Sequence, residues 1–172
     1  SYKNIFDNYE LFINTHASNE KIVFAESYIS FSMKKFYKIK FGRYYRDFST
    51  YLNDELSSGS MLIGKNALPI PKIGLLGEYH IKKKNKLKFS YGISHSVLEK
   101  NYIYNESPFI HEKFLYLIKN ENDYEYGFGF VHEAMWAGST YLYGKFPSSF
   151  SDFWKVFISA DGEKIEGQPH AN

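Results

Sequence analysis

Apolar and polar residues alternate with period two along much of this chain, the pattern of strands with two unlike faces. In "YEYGFGF", Tyr124, Tyr126, Phe128 and Phe130 stand at every second position, with Glu125, Gly127 and Gly129 between them. Leu87, Phe89, Tyr91 and Ile93 alternate in the same way with Lys88, Ser90, Gly92 and Ser94. From Val23 to Met33 the odd positions are Val, Ala, Ser, Ile, Phe and Met, while the even ones include Glu26, Tyr28, Ser30 and Ser32. A basic turn, "KKFYK", follows. Tyr37, Ile39 and Phe41 then alternate with Lys38, Lys40 and Gly42, which predicts a hairpin with one apolar face and one basic or small face. Phe109 to Ile118 is less clean, because Leu115 and Leu117 interleave with Phe114, Tyr116 and Ile118. The turn "KNENDY" leads into the aromatic strand, which runs on to about Trp136.

Helical patterning is weak. The best candidate is "SSFSDFWKVFISADG", where Phe150, Phe153, Trp154 and Phe157 fall at helical spacing. Ser149 or Ser151 would cap its start and Gly162 would end it, after about three turns. Pro69, Pro71, Pro108, Pro147 and Pro169 mark boundaries or positions outside a hydrogen-bonded ladder. No repeat and no linker divides the chain, so residues 1–172 read as one domain.

Composition sharpens the question that the alternation raises. Aromatic residues make up 20% of the 172 residues, almost all of them Tyr and Phe, and they need a large surface to occupy. The net charge of +2 is too small to argue for a polyanion, so no nucleic-acid partner is expected. The absence of Cys excludes a disulfide framework and Cys-ligated zinc. No apolar run reaches the length of a membrane-spanning helix. Two architectures fit. In a soluble sandwich the large residues face a core and the other face is wet. In a membrane β-barrel the aromatics face lipid or its boundary, and the polar or small face lines the lumen. The high Tyr content and the strand lengths of about ten residues lean to the barrel.

Several short motifs weigh little. "GSMLIGKN" (59–66) approaches a phosphate-binding loop, but Asn66 replaces the hydroxyl residue, and Pro69 and Pro71 forbid the helix that should follow. "HEAMW" (132–136) lacks the second His of a zinc-protease helix and continues a strand pattern, so no metal is expected there. Glu55, Glu112, Glu125 and Glu133 could in principle supply a glycosidase pair, although charges lining a wet interior account for them as well. The basic run "HIKKKNKLK" (80–88) reads first as a solvated hairpin turn and second as a site of attraction for anions. Trp136 and Trp154 flank the loop "AGSTYLYGKFPSSF", where aromatics serve equally as sugar-stacking platforms or as anchors.

Four blocks then occur in a telling order: "LSSGSMLIGKNALPIPKI" (56–73), "FIHEKFLYL" (109–117), "GFGFVHEAMWAG" (127–138) and "KFPSSFSDFWKVF" (145–157). Together they resemble the Wzi-type capsule assembly family of Gram-negative outer membranes, over most of the chain from about Tyr28. The resemblance implies an all-β fold: part of a larger antiparallel transmembrane β-barrel, with a short helix in a loop or plug. It implies outer-membrane localisation and a non-catalytic, lectin-like role in binding capsular polysaccharide and assisting its assembly or surface attachment. Capsular polysaccharide and outer-membrane lipid are the implied partners, with the capsule export machinery as a further one; no cofactor is implied. Family members are far longer, so the chain is expected to be an internal portion of a barrel. The contact candidates rest on inner-face and loop chemistry. Arg43, Arg46 and Lys65 would pair with acidic sugar groups. Asn66 and His132 would hydrogen-bond hydroxyls, and Trp136 would stack. The alternatives are a β-rich polysaccharide-degrading enzyme and a general porin-like barrel.

Overall fold

The computed structural model describes residues 1–5, 8–17, 22–34, 37–45, 68–82, 87–121 and 124–160. The strands are β1 (Tyr2–Ile5), β2 (Tyr9–Ala17), β3 (Ile22–Lys34), β4 (Tyr37–Arg43), β5 (Pro71–Lys82), β6 (Leu87–Val97), β7 (Tyr104–Glu106), β8 (Phe109–Glu121), β9 (Tyr124–Trp136), β10 (Ser139–Thr140) and β11 (Gly144–Lys145). One helix, α1 (Phe150–Phe157), follows them. Eight strands form one antiparallel sheet in the order β1-β2-β3-β4-β5-β6-β8-β9. A small second sheet has the order β11-β10-β7. The large sheet is open among the described residues: β1 and β9 are its edges, so the expected β-rich fold with a short helix is present without a closed barrel. No described helix is long and apolar enough to cross a membrane.

Sheet register sorts the side chains onto two faces, because directly paired residues share a face and successive residues alternate. One face carries Tyr9, Phe31, Ile39, Phe41, Ile73, Leu75, Ile93, Leu115, Leu117, Phe128 and Phe130, linked strand to strand by the pairing. Most of these residues are exposed, Phe128 at 66% and Phe130 at 65% among them. The opposite face carries Ser30, Lys38, Lys40, Gly74, Leu76, Ser94, Ser96, Glu112, Phe114, Tyr116, Gly129 and Glu133. There Ser30, Lys40, Ser94, Ser96 and Glu112 are buried. The ordinary arrangement of a soluble sheet is reversed: the apolar face is bare and the polar face is packed.

The polar face packs by setting rings into gaps left by glycine. A Cβ on Gly129 would lie 2.2 Å from the Tyr116 ring, one on Gly92 2.4 Å from Phe114, and one on Gly74 2.3 Å from the Tyr44 hydroxyl. The glycines between the aromatics of β9 therefore face away from them as the alternation predicts, and the space beside Gly129 is taken by a neighbouring ring. Tyr44, Leu76 and Phe114 form the buried cluster, with Tyr28, Tyr116 and Val131 against it. Gly42, at φ 129°, lies within β4 where no side chain would fit, since a Cβ would meet Ser27 O at 2.3 Å.

Two local expectations change. The alternation from Val23 to Met33 is broken by a register shift. Ile13 pairs with Ser27 but Thr15 pairs with Phe24, so β3 has an extra residue. Phe24 and Ile22 therefore join the bare face, and Ala25 is buried on the other. The helix is shorter than expected. Ser149 caps it, its hydroxyl accepting from Asp152 N–H, while Asp152 accepts from Ser149 N–H in a capping box. It stops at Phe157, because Ser159 at φ 58° has left helical space; Gly162 lies outside the described residues.

Candidate functional site

Connections differ sharply at the two ends of the large sheet. At one end the connections from β1 to β2, β3 to β4, β5 to β6 and β8 to β9 are all short, two to four residues. At the other end lie the four-residue β2-to-β3 connection, residues 44–70 between β4 and β5, residues 98–108 between β6 and β8, and everything after Trp136. This long-connection end holds the small sheet and α1, and it is where the sequence candidates within the described residues gather.

Arg43, the last residue of β4, is engaged locally. Its guanidinium donates to Pro69 O at 3.1 Å and pairs with the Glu99 carboxylate. Pairing places it opposite Pro71 at the same end of the sheet as Trp136, but four strands away from β9. At about 4.8 Å per strand that separation is roughly 19 Å, too far for the two to share one sugar contact. Arg46, Lys65 and Asn66 lie outside the described residues, as does nearly all of the Leu56–Ile73 block.

His132 and Trp136 stand four residues apart on one face of β9, which is a strand throughout, as the "HEAMW" pattern predicts. Trp136 is packed rather than displayed. Its ring lies 5.3 Å from Phe109 and 5.5 Å from Phe153, between the sheet and α1. His132 belongs to a cluster that the sequence reading did not pick out. His95, His111 and His132 lie under α1 on neighbouring strands β6, β8 and β9. His111 Nδ1 and His95 Nε2 are 3.2 Å apart, and the His111 and His132 ring centres are 6.1 Å apart. Phe153 stacks over His95 at 5.4 Å and Phe157 over His111 at 5.8 Å, leaving His111 fully buried. A partial signal was present in the sequence: His95 interrupts the apolar positions Leu87, Phe89, Tyr91, Ile93 and Val97 along one face of β6, although nothing there names its neighbours. The His95–His111 contact needs one donor and one acceptor, so one of the facing nitrogens must be unprotonated. His111 Nε2, His132 Nδ1 and Trp136 Nε1 are buried with no hydrogen-bond partner among the described residues. No group of three His, Asp or Glu disposed to hold a metal occurs among the described residues.

The packed face offers different chemistry. The Lys40 ammonium, with its residue only 3% exposed, lies 3.6 Å from the Tyr28 ring centre and 4.6 Å from that of Tyr44. Lys72 approaches Tyr44 from 4.6 Å. Tyr28 donates to Glu10, which also pairs with Lys3 at 2.8 Å. Charges and rings thus alternate across β1 to β5, and desolvation strengthens each cation–ring contact. Glu112 and Glu133 are direct cross-strand partners on this face. Of the other carboxylates considered, Glu55 and the side chain of Glu125 lie outside what the structure describes.

Exposed aromatics do occur at the long-connection end, but not at Trp136. Tyr102 and Tyr141 are open to solvent beside the small sheet, where Tyr141 N–H donates to Ile103 O at 3.3 Å. No protein-family model, curated protein or solved structure matches this chain.

Proposed function

We propose that this chain is a section of the wall of an outer-membrane β-barrel, and that the barrel binds capsular polysaccharide without cleaving it. The observation that carries the membrane reading is the reversed burial: a bare apolar face spanning seven of the eight strands, opposite a packed face where Lys, Ser, Glu and Gly surround a small cluster of rings and Leu76. A contiguous apolar surface on this scale marks a membrane or protein contact. Strands of 11 to 13 residues in β3, β5, β6, β8 and β9 suit a tilted crossing. Uniformly short connections at one end, and the long ones all at the other beside the short β2-to-β3 link, suit the periplasmic and extracellular ends of such barrels. On this reading the long-connection end faces outward from the cell.

The capsule role rests on the sequence blocks that resemble the Wzi-type family. Lys38 and Lys72 on the lumen face would attract an acidic glycan, and Arg46, Lys65 and Asn66 remain contact candidates; Arg43, His132 and Trp136 share the face of Phe128 by register, so they would meet a glycan only beyond the membrane, at the long-connection end. Tyr102 and Tyr141 join them as the accessible stacking surfaces, because sugar rings present apolar faces to exposed aromatics. Pull-down of purified capsule by the protein bearing this chain tests the role. Y102A/Y141A is expected to lower glycan retention more than W136A does. Retention unchanged in both would remove the aromatic contacts, and no retention by the parent would end the capsule reading. A second reading, polysaccharide cleavage, is favoured by one observation, the cross-strand pairing of Glu112 with Glu133. Turnover of capsule that is lost in E112Q would establish it.

A further inference from the structure

The helix α1 carries two apolar stripes, and only one of them is docked. At about 100° per residue, Phe153, Val156 and Phe157 form one flank of its apolar arc. Phe153 and Phe157 cover His95 and His111, and Lys113 Nζ donates to Phe157 O, fixing the end of the helix to the sheet. Phe150, Trp154 and Ile158 form the other flank at i, i+4 and i+8, and they are 73%, 46% and 66% exposed. Ser151, Asp152 and Lys155 occupy the remaining arc, where Lys155 pairs with Asp152 at 3.7 Å. The helix is thus divided three ways: toward the sheet, toward an unfilled apolar side, and toward a charged side.

The sheet continues this division. Lys113 and His132 are cross-strand partners at the edge of the helix contact, and the next row on the same face, Leu115 and Phe130, is bare. The helix that bears the open stripe is thus fixed one row from the surface proposed above to meet lipid.

We infer that α1 is an interfacial helix: its Phe150–Trp154–Ile158 stripe inserts at the boundary between headgroups and acyl chains, at the long-connection end of the sheet. The occupant is lipid rather than a protein partner, because the helix is fixed one row from the bare band and a polar arc of Ser151, Asp152 and Lys155 bounds the apolar stripe on its other side. Such a helix lies in the membrane plane with its apolar side buried about 5–10 Å into the boundary. The inference rests on the barrel reading, and its test separates the two.

The chain has two tryptophans, so W136F, with any tryptophan outside this chain replaced by Phe, leaves Trp154 as the only native reporter. The protein bearing this chain is reconstituted in phosphatidylcholine vesicles whose acyl chains carry bromine either near the headgroup or near the chain end. Trp154 is expected to lose more emission to the shallow bromine than to the deep one. A parallel variant, F128W with W136F and W154F, reports on the sheet face and is expected to be quenched more strongly by the deep bromine. If the probe at position 128 is quenched and Trp154 by neither bromine, α1 is covered by protein and this inference falls alone. If neither probe is quenched, the sheet is not in lipid and both readings fall. Because Trp136 contacts Phe153, a second measurement avoids W136F: this chain has no Cys, and with any Cys outside it replaced by Ser the protein takes I158C, labelled with a polarity-sensitive dye. A blue shift on adding vesicles supports insertion, and unchanged emission overturns it.

Discussion

Placing an arginine at Phe128 separates a lipid-facing sheet from one that faces water. Phe128 stands on the bare face, four residues from Tyr124 and four from His132. At about 3.3 Å per residue and a tilt near 45°, it lies roughly 9 Å inward from either limit. Its cross-strand neighbours are Leu117 and, beyond it, Phe89, so no charge of opposite sign stands in its row. If that row lies near the bilayer centre, F128R should cost about 2–4 kcal/mol, a fall of about 30- to 800-fold in the folding constant. If the row faced water, the substitution should stay within about 0.5 kcal/mol, because little packing is lost at an exposed surface. Y124R, near the boundary, should cost at most about 1 kcal/mol. The assay is the denaturant-dependent equilibrium between unfolded protein and protein folded into vesicles, followed by tryptophan emission. A cost for F128R within about 0.5 kcal/mol of zero, or one equal to that of Y124R, would refute the reasoning.

Three further outcomes follow from local geometry. G129A should destabilise by about 1–3 kcal/mol, because its methyl collides with the Tyr116 ring, whereas G127A meets nothing nearer than 3.9 Å and should be close to neutral; the same unfolding assay compares them. S149A should loosen α1 by about 1 kcal/mol through loss of its N-cap, read as faster amide exchange at residues 152–154. Hydrogen bonds from the Ser149 hydroxyl and backbone hold the Asp152 carboxyl below its ordinary range. Its contribution to α1 is therefore present above the pKa of a free Asp and is lost as pH falls through the lower folded value, so amide exchange in the helix should quicken under acid, and less so in S149A.

Much of the strand layout was legible because alternation is a local signal. Leu87 to Ile93 and Tyr124 to Phe130 each display their face without help from neighbours, and the sheet pairs them as their patterns require. Alternation fails where the cause lies in another strand. The extra residue in β3 is set by its pairing with β2, so nothing in "IVFAESYIS" reveals that Phe24 rather than Ala25 faces outward. β5 was hidden because Pro71 signals a boundary, yet a strand can begin on proline, where no ladder hydrogen bond is needed from its nitrogen. The apolar run Leu11–Phe12–Ile13 masked the alternation of β2. The histidine cluster was not legible as a cluster, since His95, His111 and His132 meet only through the register of three strands and the cover of α1. The role of Trp136 as an anchor likewise depends on a helix that begins fourteen residues further along the chain.

The central claim is that the bare face meets lipid in an outer-membrane barrel. Outer-membrane and periplasmic fractions from cells making the protein that bears this chain test it most directly, each run on a gel with and without boiling. The account predicts that the protein is in the outer-membrane fraction and that its mobility changes on boiling, as a folded barrel opens. Recovery in the soluble periplasmic fraction, with the same mobility before and after heating, would contradict it and return the bare face to the role of a protein contact.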